Sequence, residues 1–122
     1  MNFYYPELRQ FDFTISECDE HRLRCKATIS YSGITIWDGW ISLDGSCSVA
    51  EGETSLDPLQ KAKSTGRVCA EQHSGTWHIC YYGEVQYCHQ TLDCDWHGCR
   101  TRWQCNTIWS GQTCNSTGIP VI

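Results

Sequence analysis

Ten cysteines, at positions 18, 25, 47, 69, 80, 88, 94, 99, 105 and 114, constrain this chain more than any other feature. No two have fewer than four residues between them, so the tight C-x-x-C pairs from which zinc ribbons and fingers build tetrahedral sites are missing. An even, widely spaced set predicts five disulfides formed in an oxidising compartment, with no cofactor and no tightly bound metal. Connectivity stays open at this level, because eight cysteines already allow about 105 pairings. The rest of the composition explains why bridges are needed. Hydrophobic residues make up 40% of the 122, but ten of them are Cys and fifteen are Trp, Tyr or Phe. Few aliphatic side chains remain to build a core, and the length suits one domain over residues 1–122.

Charge and hydropathy narrow the function classes. Nine Lys and Arg against fourteen Asp and Glu give a net charge of −5, opposite to the basic surplus of a nucleic-acid binder. No apolar run approaches the ~20 residues that span a bilayer, so membrane insertion is not expected. The start, Met1-Asn2-Phe3-Tyr4-Tyr5-Pro6, has neither a basic region nor an apolar stretch. With ten cysteines, that reads as a mature secreted, extracellular protein whose signal peptide has been removed. Asn115-Ser116-Thr117 is an N-glycosylation acceptor and fits a eukaryotic secretory route.

Alternation supplies most of the secondary structure. Phe11, Phe13 and Ile15 alternate with polar residues, as do Ala27, Ile29 and Tyr31, which is the period of half-buried strands. The polar stretch 19–24 between them predicts a hairpin whose ends carry Cys18 and Cys25, and hence a local Cys18–Cys25 bridge. Over Ile34 to Leu43, Asp38-Gly39 predicts a type I′ turn that pairs Trp37 with Trp40 and Ile36 with Ile41. The alternative there is one long strand with a bulge at Gly39. Asp57-Pro58 resembles a helix N-cap followed by proline at N1, so one short helix is expected near 58–64, ended by Gly66. Residues 45–65 around it read as a surface excursion. Residues 76–82 and 84–89 read as two strands meeting near Gly83, 101–109 as another, and 119–122 as an edge strand that tolerates Pro120. Such spacing implies an all-β, antiparallel sandwich or barrel stapled by disulfides. The cysteine-rich tail from Cys88 to Cys114 is expected to bridge back to Cys47, Cys69 or Cys80.

The segment from Phe11 to Ile29, with Cys18, His21 and Cys25 in the spacing C-x-x-H-x-x-x-C between two alternating strands, resembles the opening of small secreted fungal proteins related to the Alternaria major allergen. That resemblance covers about twenty residues. It implies an all-β barrel or sandwich, secretion, and a role at the fungus–host surface rather than catalysis. It offers no counterpart for the run Cys88 to Cys114, so no ligand site carries over.

The chemistry-bearing groupings are sparse. His21 stands beside Asp19 and Glu20, and Asp93, Asp95 and His97 recur at a spacing that places them on one face of a strand. The first grouping suits a solvated turn. The second, with His89, Cys94 and Cys99 close by, is weakened as a metal site because oxidised cysteines supply no thiolates. No G-x-S-x-G elbow is present, and Asp44-Gly45-Ser46-Cys47 reads as a turn leading to a disulfide. A secreted ribonuclease would use two histidines, for which His73, His78, His89 and His97 are available, but the acidic surplus opposes that substrate. The reading is therefore not an enzyme.

Aromatic residues are the more suggestive feature. Trp77, Tyr81, Tyr82 and Tyr87 cluster in adjoining strands, and Trp96, Trp103 and Trp109 lie in the tail. Aromatics with polar tips serve protein interfaces and sugar stacking alike. Tyr81 and Tyr82 are consecutive, so on a strand one of them faces away from the core. Trp96 sits in a short loop bounded by Cys94 and Cys99. Tyr81, Tyr82, Trp96 and Trp77 are thus the candidate binding residues of an effector-like secreted protein that recognises a host protein or a glycan. The rival readings are a secreted hydrolase using a His/Asp grouping, and an extracellular structural protein that self-associates through an unpaired sheet edge.

Reduction should unfold this protein. Each native bridge in a small secreted domain contributes roughly 2–5 kcal/mol, against a total stability of roughly 5–15 kcal/mol. Alkylation without reductant is expected to label no cysteine. After full reduction circular dichroism should lose its native form, and a near-native spectrum would refute the dependence on bridges.

Overall fold

Strands alternating with tight turns account for nearly all of the computed structural model, which describes residues 11–122. The reading of Met1 to Pro6 lies outside the described residues. Eight strands follow in order: β1 (Phe11–Asp19), β2 (Arg24–Tyr31), β3 (Ile34–Ser42), β4 (Cys47–Val49), β5 (Gly52–Asp57), β6 (Gln60–His73), β7 (Thr76–Asp95) and β8 (Gly98–Pro120). They form a three-stranded sheet, β1-β2-β3, and a five-stranded sheet, β4-β6-β7-β8, with β5 pairing the first part of β6 and β4 the second. Every pairing is antiparallel. The all-β, antiparallel, disulfide-stapled class expected from the sequence is the one observed. Among the described residues no helix is long and apolar enough to cross a membrane.

Two Ser-Gly pairs set the register. Ser32 and Gly33 have φ of 55° and 79°, and Ser74 and Gly75 have 53° and 80°. Consecutive positive φ angles belong to type I′ turns, whose twist matches that of the strands they join. The Ser32-Gly33 turn explains why Asp38-Gly39 does not fold back. β3 already returns along β2 from that turn, placing Asp38 opposite Thr28 and Gly39 opposite Ala27. A second turn would strip β2 of its partner. Residues 34–42 are therefore one strand, with the register shift at Ile36 rather than at Gly39. Trp37 and Trp40, expected side by side, lie on opposite faces. Trp37 packs against the core, and Trp40 lies outside under the Arg24 guanidinium, 4.4 Å from the ring centroid.

The expected helix near 58–64 is also corrected. Asp57 Oδ1 accepts the Leu59 N–H at 2.7 Å, so the capping contact forms, but it closes the turn between β5 and β6. Ala62 and Ser64 then alternate into the core while neighbours pair on both sides of β6. That ladder satisfies the backbone groups a helix would otherwise satisfy. Residues 45–65 accordingly supply β4, β5 and the start of β6 rather than a loose excursion. Gly83, expected between two strands, lies inside the 20-residue β7, and residues 101–109 and 119–120 belong to the single strand β8.

Glycine does something else there. Gly66, Gly83 and Gly111 stand abreast across β6, β7 and β8. A Cβ on Gly66 would meet the Gly83 Cα at 2.7 Å as well as the Tyr82 carbonyl oxygen, and one on Gly83 would meet the Gly66 Cα at 2.8 Å as well as the Thr65 carbonyl oxygen. Backbone approaches backbone between Gly66 and Gly83, where only glycine leaves room, whereas a Cβ on Gly111 would meet open space.

All five bridges are rungs between directly opposed residues: Cys18–Cys25, Cys47–Cys69, Cys80–Cys114, Cys88–Cys105 and Cys94–Cys99, each with Cα atoms 4.0 Å apart. No cysteine is free. The hairpin bridge Cys18–Cys25 is as expected. Of the tail, only Cys114 bridges back, to Cys80, because β7 and β8 pair with each other along almost their whole lengths. Cys69 also faces Cys80, so Cys47, Cys69, Cys80 and Cys114 form one row across four strands. Such a set of bridges fits an oxidising, extracellular type of environment.

No disulfide joins the two sheets. Apolar packing does, chiefly through aromatic rings. Tyr81, fully buried, stacks on Phe13 of β1 at 5.7 Å between centroids and on Trp109 of β8 at 5.3 Å, and Phe11 stacks on Trp109 at 4.9 Å. The Tyr81 hydroxyl lies 3.0 Å from the Glu84 carbonyl and 2.6 Å from Ser64 Oγ, which is 2.9 Å from the Ala50 carbonyl, so two hydroxyl hydrogens are shared among three contacts. Burial pushes the Tyr81 phenol above the usual tyrosine range, against the opposing hydrogen bond from Ser64.

The glycine row yields a graded expectation. Gly83→Ala should cost ~1–3 kcal/mol or more in urea unfolding, because rigid backbone must move. Gly39→Ala, whose added methyl meets the Trp37 ring at 2.9 Å, should cost less, since a side chain can swing aside. Equal midpoints for the two variants would show that the row is not close-packed.

Candidate functional site

β6 ends opposite His89, at Gln60. Beyond that point β7 and β8 continue as a two-stranded ribbon from Gln90 to Trp103, projecting roughly 20 Å at ~3.3 Å per residue. Its tip is the two-residue loop Trp96-His97 between the paired residues Asp95 and Gly98. Asp95 Oδ1 accepts the His97 N–H at 2.8 Å and closes that turn. Cys94–Cys99 staples the tip and Cys88–Cys105 the base.

Alternation divides the ribbon into two faces. Leu92, Cys94, Cys99, Thr101, Trp103 and Cys105 share one parity of the ladder, and Asp93, Asp95, Arg100 and Arg102 the other. The first face is apolar, with Leu92 68% exposed and Trp103 39% exposed. The second is charged, with Arg102 Nε 4.0 Å from Asp93 Oδ2. Trp96 at the tip is 89% exposed, its ring 3.6 Å from that of His97 between centroids. At the base, Lys61 Nζ lies 4.4 Å from the Trp103 ring centroid and 3.4 Å from Glu53 Oε2. Together with Thr54, Ser55 and Pro58 these residues line a shallow groove of about 300 Å³.

The four candidate aromatics do not converge. Tyr81 and Trp77 are buried, because their positions on β7 face the opposing sheet. They are core residues, and the binding role expected of them is set aside. Tyr82, on the outer face as its parity requires, is half-buried. Its hydroxyl donates to Glu71 Oε2, and the Arg67 guanidinium lies 5.0 Å from its ring. That bond holds the Glu71 carboxyl below the usual carboxylate range and the Tyr82 phenol above the tyrosine range. Of the four, Trp96 is the prominent one, its ring beside that of His97.

The remaining groupings are spent structurally. Asp19 Oδ1 accepts the Arg22 N–H at 3.3 Å, and His21 is an exposed turn residue. Asp93 faces Arg102, and Asp95 caps its own turn, so the Asp93/Asp95/His97 set has no member aimed at a common point. Asn115 Nδ2 donates to the Phe13 carbonyl at 2.7 Å and Thr117 Oγ1 to the Trp77 carbonyl at 2.8 Å, so the glycosylation tripeptide already tethers β8 to β1 and β7. Leu92 and Lys61 did not emerge from sequence reasoning, and Trp103 emerged only as one of the tail's aromatics. The alternation of Leu92 with Asp93 and Asp95 was the available signal, but its meaning depends on where β6 stops.

The chain matches no protein-family model, no curated protein and no solved structure.

A small closure such as Cys94–Cys99 contributes ~2 kcal/mol by chain entropy, and it acts locally. Replacing both cysteines with serine should leave the core intact while the tip frays. Amide hydrogen exchange is expected to accelerate over residues 91–102 with protection of Ile79 and Val85 unchanged. Uniform loss of protection would mean that the ribbon is integral to the core.

Proposed function

We propose that this protein is a secreted, non-enzymatic recognition module that engages a protein partner through the ribbon, with Trp96 as its anchor. The observation that carries this reading is a tryptophan left 89% exposed at the tip of a bridged hairpin. Water contact of that extent sacrifices the burial a Trp normally gains, worth roughly 25 cal/mol per Å² of apolar surface. A partner's pocket would restore it. Aromatic anchors dominate interface energetics, and holding one in place before binding lowers the ordering cost. The apolar face with Leu92 and Trp103 extends the contact, and Asp93, Asp95, Arg100 and Arg102 supply a charged rim.

A protein is favoured over a glycan by shape. Sugar sites are concave, with hydrogen-bonding groups converging beside an aromatic platform, whereas Trp96 crowns a convex tip. The two readings predict different outcomes on arrays of extracellular proteins and of glycans. Wild-type protein should bind a protein target, and Trp96→Ala should weaken that binding at least tenfold with an unchanged circular dichroism spectrum. A target that Trp96→Ala binds equally well would remove the anchor role. Binding to glycans alone would overturn the choice of partner.

A further inference from the structure

We infer that Glu71, His73 and His78, on the outer face of the large sheet, form a binding site for an exchangeable divalent transition-metal ion of the copper or zinc type. Glu71 and His78 face each other directly across β6 and β7, and His73 lies one pleat along from Glu71 on the same face. The two imidazole rings are 4.9 Å apart between centroids, at 51°. His73 Nε2 is 3.0 Å from Glu71 Oε1. Metal–ligand bonds of ~2.0–2.2 Å place neighbouring ligand atoms roughly 3 Å apart, so an ion can take the position of the proton these two atoms share.

His78 is already oriented as metal ligands usually are. Its Nδ1 lies 3.2 Å from the Thr76 carbonyl, an acceptor only, so Nδ1 carries the proton and Nε2 presents a lone pair. The backbone beneath is rigid. Ser74 and Gly75 close the hairpin next to His73, and the row of Cys47–Cys69 and Cys80–Cys114 ties β6 and β7 to their outer neighbours. Cys80 and Cys114 also approach Glu71 and His73, all four ligand atoms lying within 4.8 Å of one another. Both sulfurs are oxidised, so they shape the floor and supply no thiolate. Of that cluster Glu71 and His73 remain, and His78, opposite Glu71 and with its ring 4.9 Å from that of His73, is the third ligand, giving two imidazoles and a carboxylate, a set that suits zinc, nickel and above all copper(II) rather than calcium or magnesium. His73 and Glu71 side chains are 45% and 30% exposed, so water completes the coordination and the ion exchanges. This differs in kind from the cysteine-based site that the cysteine spacing excludes.

Zinc(II) or copper(II) alone, titrated calorimetrically into the oxidised protein, should bind with a stoichiometry of one. His73→Ala and His78→Ala are each expected to weaken binding at least tenfold. Glu71→Gln, which keeps a hydrogen-bond acceptor for Tyr82, should weaken it by a similar factor, and His21→Ala should have no effect. In the wild-type protein, bound zinc should protect His73 and His78 from diethyl pyrocarbonate while His21 and His97 stay reactive. That measurement decides the matter even if a variant fails to fold. No binding up to ~1 mM ion, equivalent to a binding free energy weaker than about −4 kcal/mol, or protection of other histidines instead, would overturn the site.

Discussion

Every covalent bridge in this protein joins two residues that already face each other in a β-ladder. Each therefore fixes the register of one strand pair and nothing beyond it. A slip of one residue would send a whole strand's inward side chains to solvent, and these rungs forbid the slip. The three bridges of β7 and β8 are nested, closing 34, 17 and 5 residues of sequence separation. Once the inner ones form, the outer ones restrict only the short stretches between rungs. Their entropic contributions are accordingly less than additive.

Because no bridge crosses between sheets, their packing depends on what the sheets bury. Aliphatic side chains are few, and rings take their place: Tyr81 at the centre, with Phe13, Trp109 and Phe11 around it, and Tyr31 stacked against Tyr87 at 6.0 Å. Each such pair adds ~0.5–1.5 kcal/mol beyond its buried area. The Tyr81 hydroxyl is met by the Glu84 carbonyl and by Ser64 Oγ, which also reaches the Ala50 carbonyl, and the Tyr87 hydroxyl donates to Gln60 Oε1. The aromatic wealth that reads in sequence as binding surface is mostly core. Among the described aromatics, those left outside are Trp96 and parts of Trp40 and Trp103.

That division of labour also explains how the ribbon can be long and still ordered. It gains nothing from the core, since both its faces are wet, and two isolated strands are marginal in water. Cys88–Cys105 and Cys94–Cys99 offset that deficit at base and tip. The ribbon and the folded body are thus stabilised by different means. The Glu71, His73 and His78 cluster sits on the body instead, beside the four-cysteine row, so the two surfaces are chemically and spatially distinct.

Local signals were legible wherever the physics is local. Alternation identified β1 and β2, the polar stretch 19–24 identified their turn, and the flanking positions identified Cys18–Cys25. The same kind of signal misled at Asp38-Gly39, at Asp57-Pro58 and at Gly83. Each is a genuine turn, cap or breaker signal, and at each a long strand already paired on one or both sides offered the backbone more hydrogen bonds than the local structure did. The sequence by itself determined the class of the fold, the oxidation of all ten cysteines and the opposite orientations of Tyr81 and Tyr82, because composition and the two-residue period of a strand are enough for those. Only the tertiary structure decided which of the aromatics are core, which cysteines meet, and which histidines stand together. Those outcomes depend on the pairing of residues far apart in the chain and on where β6 ends against β7, and no local pattern encodes either.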